Sequence, residues 1–163
     1  MKIRPYILSD EKELTKLIGK FRVVLAKLKG NDREIDLKAA QEELNDHQKK
    51  EYPIFVAEGD MGNLIGYHVC RIQDDIIWSE SLYVVPEARR KGVGSALYEK
   101  AEIIAKEIGC DTVYNWVHQN NFRSIPFLKK RGYTVLNLIE VCKRRPGEKL
   151  TQKIKVGNYK FDY

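Results

Sequence analysis

The segment Leu82-Tyr83-Val84-Val85-Pro86-Glu87-Ala88-Arg89-Arg90-Lys91-Gly92-Val93-Gly94-Ser95-Ala96-Leu97 constrains the fold more than any other part of the chain. An apolar strand stops at Pro86, a basic loop with two glycines follows, and a helix begins at once. Val93, Leu97, Ala101, Ile104 and Ile108 lie on one stripe of that helix, and Gly109 stops it. The strand therefore belongs to a sheet that the stripe covers. The helix start exposes unpaired backbone N–H groups and partial positive charge, and Gly92 and Gly94 keep the approach open, so it can hold a pyrophosphate. Arg89, Arg90 and Lys91 add positive charge beside the same place. Other glycine loops fit less well: Lys91 precedes its glycine instead of following it, and Leu97 stands where a dinucleotide-binding loop wants a third glycine. Taken as Gly-x-Gly alone, the segment reads as a plain strand-to-helix turn with solvated basic residues.

Hydrophobic spacing sets the order of the remaining elements. Ile3 to Tyr6 reads as a short strand. Ser9 and Asp10 are helix-cap candidates, with Asp10 and Glu13 spaced as a capping box, and Leu14, Leu17, Ile18, Phe21, Val24, Leu25 and Leu28 recur at helical steps before Gly30-Asn31. Leu37, Ala40 and Leu44 mark a second helix in an acidic stretch that holds Glu34, Asp36, Glu42, Glu43 and Asp46. Ile54 to Ala57 and Leu64 to Val69 flank the turn composition Gly59-Asp60-Met61-Gly62-Asn63 as a hairpin. Ile76 to Val85 is a long strand, Thr112 to Val117 another, Ser124 to Arg131 a short helix and Tyr133 to Val141 a further strand. The basic tail after Pro146-Gly147, with Tyr159, Phe161 and Tyr163, adds one more. The expected class is α/β with α+β character: a single mixed, mostly antiparallel sheet flanked by helices. One domain over residues 1–163 is expected, with a motif core at about 76–133 and an extension over about 143–163.

At 163 residues the chain suits one core. It has no apolar run near the roughly 20 residues that a bilayer requires, and Met1-Lys2-Ile3-Arg4-Pro5-Tyr6 carries no apolar signal segment, so a soluble cytoplasmic protein without a membrane partner is expected. Cys70, Cys110 and Cys142 are odd in number and widely spaced, and His47, His68 and His118 show no metal spacing. Reduced structural thiols and no metal are expected. The net charge of +6 suits general solubility, nucleic-acid binding or an anionic cofactor, and charge alone does not choose among them.

In its full context the glycine segment resembles the GNAT superfamily signature Arg/Gln-x-x-Gly-x-Gly/Ala, matched by Arg89, Gly92 and Gly94. The preceding Leu-Tyr-Val-x-Pro and the downstream stretch from Asn121-x-x-Ser124-Ile125 to Gly132-Tyr133 are similar to that family as well, and the resemblance runs from Ile3 to about Val141. It implies an acyl-CoA N-acyltransferase fold that transfers acetyl from acetyl-CoA to an amine, with no covalent enzyme intermediate. Backbone amides of Val93, Gly94 and Ser95, with Arg89, Arg90, Lys91 and Gly92 beside them, would hold the pyrophosphate. Strand residues Leu82, Tyr83 and Val84 would pair with the pantetheine arm, and one amide there would polarise the thioester carbonyl. Asn121 sits where the family places a cofactor-contacting Asn. A splayed opening between the Ile76–Val85 and Thr112–Val117 strands would admit the arm.

The acceptor must be neutral to attack. For a lysine-like amine that costs about 4.6 kcal/mol at pH 7, against about 1 kcal/mol for a peptide α-amine. Glu80 stands where many family members carry a carboxylate and is the candidate base, directly or through water; facing solvent as an ordinary strand carboxylate is the other reading. Unbroken alternation puts it on one face with Trp78, Leu82 and Val84, an apolar setting that disfavours the charged form; a bulge would change that face. The family commonly uses a Tyr to protonate the departing thiolate, and alignment on Asn121, Ser124 and Gly132 puts Leu128 there. Tyr83 and Tyr133 lie on nearby elements and read as packed aromatics.

Three functions therefore stand side by side: an N-acetyltransferase, a non-catalytic acyl-CoA binding or sensing module suggested by Leu128, and, last, a nucleic-acid binder suggested by Lys143-Arg144-Arg145 and the later tyrosines. The acceptor class stays open among polyamine, peptide amine, protein lysine and small molecule, and a homodimer is compatible with the fold. The family builds the acceptor site from stretches that correspond to Phe21–Asp46 and Val135–Tyr163. The acidic cluster on the second helix has two readings, a site that attracts a cationic amine and, more simply, a solvated face.

Overall fold

The computed structural model describes residues 1–148 and 150–162, so Tyr163 of the expected tail strand lies outside the described residues. The chain divides into two compact units, Met1–Phe127 and Leu128–Tyr163. In the first, strands β1 (Lys2–Pro5), β2 (Ile54–Glu58), β3 (Leu64–Gln73), β4 (Ile76–Val84) and β5 (Val113–Asn115) form one sheet in that order. All neighbours are antiparallel except β4 and β5. A parallel pair needs a crossover, and helix α3 (Val93–Glu107) supplies it. Helices α1 (Glu11–Leu28) and α2 (Leu37–Lys49) join β1 to β2, and a short α4 (Ser124–Lys130) follows β5.

Two apolar layers hold the sheet. Leu14, Leu17 and Ile18 of α1 and Ala40 and Leu44 of α2 pack with Val56, Tyr67, Val69 and Tyr83, while Val93 and Leu97 of α3 pack on the opposite face with Ala57, Leu82 and Val84. The helical spacing anticipated both stripes; each such Leu or Ile, taken fully from water, contributes roughly 1.5–3 kcal/mol. The long β3–β4 hairpin closes through Asp74-Asp75, both with positive φ (52° and 58°), the backbone of a two-residue turn whose twist suits its strands.

Three expectations are corrected. The Asp10–Glu13 capping box does not form. Arg4 claims both Asp10 oxygens (2.6 and 2.9 Å), holding that carboxyl below the usual range, and Glu13 accepts from the Leu64 amide at 2.7 Å. A charge-assisted pair outcompetes a helix amide for the same oxygens. Second, residues 133–141 form no strand, and Val135, Leu136, Leu138 and Val141 are exposed. Their β-propensity finds no ladder, and an unpaired strand is not stable. Third, the central sheet is single and mostly antiparallel as expected, but the tail adds no strand to it. In the second unit, β6 (Lys153–Val156) and β7 (Tyr159–Asp162) make a separate two-stranded sheet, where Arg144 pairs with Asp162 at 3.1 Å.

Cys70, Cys110 and Cys142 are free thiols. No described helix is long and apolar enough to cross a membrane.

Candidate active site

The start of α3 is built for an anion. Gly92 caps it with φ 83°, and a Cβ there would meet nothing within 4 Å beyond its chain neighbours, so backbone geometry is what reserves the position for glycine. The first helical bond runs from the Ala96 amide to the Gly92 carbonyl (3.0 Å), which leaves the amides of Val93, Gly94 and Ser95 without helical partners. No acidic residue occupies the first turn. Arg90, Lys91 and Ser95 are exposed around this end, and Arg90 also has a positive φ of 63°. Arg89 is turned back: its Nε donates to the Val84 carbonyl at 2.8 Å, and its guanidinium lies over the Tyr83 ring. It ties the strand end to the loop and leaves Arg90 and Lys91 as the exposed cations. This cradle fits a pyrophosphate.

Next to it the sheet forks. Strand β4 pairs with β5 only over Ile77–Ser79, opposite Val113–Asn115, yet β4 runs on to Val84. From Glu80 to Val84 that edge has no strand partner among the described residues, a length of about 13 Å at the usual rise. Val85 donates to Ile65 on β3, so alternation turns the amides of Leu82 and Val84 toward the open edge and that of Tyr83 away from it. An extended ligand can add there as a strand would.

Beyond the last paired residues, Ser79 and Asn115, stand Glu80 and Trp116, and both line a cavity of about 410 Å³ with Asp46 and His47 of α2, Lys50 just past it, Tyr52, Arg71 and Gln73. A bulge puts Glu80 there. The β3–β4 register passes from Val69↔Ser81 to Cys70↔Ser79, so Glu80 has no partner on β3. The expected apolar face shared with Leu82 and Val84 is thereby overturned: those two pack with α3, and Glu80 lies 3.1 Å from Arg71 Nε on the side of α2. The Arg71 guanidinium is stacked on Trp78 and Trp116, 5.0 and 4.7 Å from the ring centroids. The acidic helix is more than a solvated face, because Glu43 is paired with Arg22 and Asp46 lines the cavity.

The acetyltransferase (GNAT) family matches residues 22–133, a span that includes the fork, the bulge and the α3 cradle. The chain belongs to the GNAT acetyltransferase family. No curated protein sequence matches it. Among solved structures, the aminoglycoside antibiotic 6'-N-acetyltransferase of Acinetobacter haemolyticus superposes with a TM-score of 0.64 at 18% identity, covering 89% of this chain and 97% of that one. AAC(6')-Iy, in complex with the bisubstrate analogue CoA-S-monomethyl-acetylneamine, gives 0.65 at 16% identity, covering 88% and 97%. A GNAT-family acetyltransferase from Staphylococcus aureus gives 0.64 at 17%, covering 80% and 82%. At these identities the likeness is one of fold.

Within this GNAT domain the remaining expected residues are accounted for. Asn121 uses its side-chain oxygen to accept from the Ser124 amide (3.0 Å), which caps α4 and leaves its NH₂ as a donor. Leu128 is buried and offers no proton. Tyr83 is buried, packed between Phe21, Tyr67 and Arg89, with its hydroxyl pushed upward by burial. Sequence reasoning passed over Arg71 and Trp116, which belong to no motif, and read the acidic helix that carries Asp46 as a solvated face.

It also passed over a buried polar group beneath the fork of this GNAT sheet. His68 Nδ1 faces the Leu97 carbonyl (3.2 Å), which can only accept, so Nδ1 carries the proton and Nε2 accepts from the Ser79 hydroxyl (2.9 Å). Tyr98 stacks on His68 and donates to Asn115 at 3.0 Å. Burial holds His68 down to about 4, so it folds neutral, while the unfolded chain takes up a proton near 6.5. Stability is therefore complete above about pH 6.5 and falls as the pH drops toward 4. Urea unfolding across that window is expected to show this slope in the wild type and its loss in His68→Gln.

Proposed function

We propose that the protein transfers an acetyl group from acetyl-CoA to a primary amine by direct attack of the amine on the thioester. The observation that carries this reading is one continuous track: anion cradle, unpaired strand edge, then a cavity holding a carboxylate. The amides of Val93, Gly94 and Ser95, with Arg90 and Lys91, hold the pyrophosphate. The open-edge amides of Leu82 and Val84 align the pantetheine arm, and the Leu82 amide, the nearer of the two to Glu80, donates to the carbonyl oxygen where charge develops. Asn121 donates its NH₂ to the same cofactor. Acetyl-CoA, when bound, supplies the activated acyl group. Glu80 takes a proton from the incoming ammonium, directly or through water. With Leu128 at the usual acid position, the departing thiolate, whose pKa near 8.5 by analogy with Cys makes it a tolerable leaving group, is protonated by solvent.

Leu128 also motivates the second reading, an acyl-CoA binding module without turnover. Thiol release from acetyl-CoA against a panel of amines separates the two. Amine-dependent release is expected; cofactor binding with no release from any amine supports the module.

A further inference from the structure

Arg71 stands out among the residues around the cavity. Its side chain is 16% exposed, yet Nε and Nη2 are buried without a hydrogen-bond partner among the described residues. Glu80 lies within ion-pair distance of Nε but off the line of a hydrogen bond, and Nη1 donates to Gln73 at 3.3 Å. Buried guanidinium N–H groups left unmatched are costly, and the group that matches their fork is a carboxylate.

The cavity's charges balance. Asp46 and Lys50 already pair with each other at 2.6 Å and His47 Nε2 lies 3.4 Å from Glu43, which leaves Glu80 and Arg71 as one acid and one base in contact. A polycation gains no net attraction from such a lining. A zwitterion does, and since the two protein groups are only 3.1 Å apart, the ligand's own charges must sit on neighbouring atoms. Trp116, 70% exposed, and Tyr52 add an aromatic wall beside them.

Building on the acetyltransferase reading, we infer that the acceptor is a free α-amino acid with an apolar side chain, its carboxylate docked on Arg71 and its amine presented to Glu80. The carboxylate takes the vacant N–H groups of Arg71 and competes with Glu80 for that cation, so binding of the correct acceptor frees the base. The amine nitrogen bonds to the acyl carbon as the carbon–sulfur bond breaks. Of the two protons that the ammonium loses, one ends on the thiolate and one is released, and the carboxylate is unchanged.

The test compares L-phenylalanine and L-methionine with their methyl esters, with 2-phenylethylamine, and with the polycations spermidine and kanamycin. The kcat/KM for the free amino acids is expected to exceed that of the esters and of 2-phenylethylamine at least tenfold. Arg71→Gln is expected to erase that preference chiefly through KM, and Arg71→Lys to keep part of it, with coenzyme A binding intact in both. Equal or better turnover of the compounds that lack a carboxylate overturns the inference while leaving acetyl transfer standing. If no amine is turned over, acetyl transfer itself fails, and calorimetry on the coenzyme A-loaded protein decides the pocket. Binding of L-phenylalanine but not its ester supports the carboxylate site, and equal or absent binding of the two rejects it.

Discussion

Replacing Glu80 with Gln is expected to lower kcat/KM for a primary amine by about 10²- to 10⁴-fold, the range set by general-base catalysis, while acetyl-CoA affinity holds. The loss has a pH signature. Without a base, turnover draws only on amine already neutral in solution, so the variant's rate should climb about tenfold per pH unit up to the amine's own pKa. The penalty should be largest for an alkyl amine, whose deprotonation at pH 7 costs about 4.6 kcal/mol, and smallest for a peptide α-amine at about 1 kcal/mol. Glu80→Gln is nearly isosteric, and the residue sits on a bulge without a β3 partner, so the fold should tolerate it. Rates measured from pH 6 to 10 check this; a variant as active as the wild type throughout removes Glu80 from the chemistry.

Replacing Gly92 with Val is expected to weaken coenzyme A binding by about 100-fold. The left-handed backbone at this cap costs an ordinary residue roughly 1–2 kcal/mol and a β-branched one more. Relaxing that strain rotates the amides of Val93, Gly94 and Ser95 away from a common focus, and each charge-assisted hydrogen bond lost is worth about 1.5–3 kcal/mol. A Cβ built on Gly92 meets no heavy atom within 4 Å beyond its chain neighbours, so the cost to folding is that backbone strain alone, and the loss of binding should exceed it. Calorimetry with coenzyme A gives the affinity and a thermal melt gives the stability. Unchanged uptake in the variant takes the phosphate cradle away from α3.

The parts of the site that were legible in the sequence are those in which local chain chemistry and final position coincide. The α3 cradle is one: a strand end, a basic turn and two glycines are contiguous, and their geometry follows from backbone rules that need no partner. The apolar stripe of α1 and the Gly59–Asn63 turn were readable for the same reason. Glu80 could be located but not oriented, because one unpaired residue in β4 reverses every face assignment on one side of it, and a bulge leaves no compositional mark. Asp10 reads as a cap until Arg4, six residues upstream and across a turn, takes its oxygens. Residues 133–141 show the converse case, strong strand propensity without a ladder to join. The cavity was the least visible: Asp46, Arg71 and Trp116 sit on α2, on β3 and just past β5, and nothing in their spacing foretells that folding brings them together.

The gap between β4 and β5 also bears on how the protein survives when ligand is scarce. The amides of Leu82 and Val84 face the gap with no strand to receive them, so deuterium should enter there early, and the sheet's far margin should be the first part to breathe. A cofactor that fills the gap acts as a missing strand. If acetyl-CoA is that cofactor, as proposed, mass action makes thermal tolerance and resistance to proteolysis rise with the acyl-carrier pool, which would couple the lifetime of the protein to the supply of its substrate.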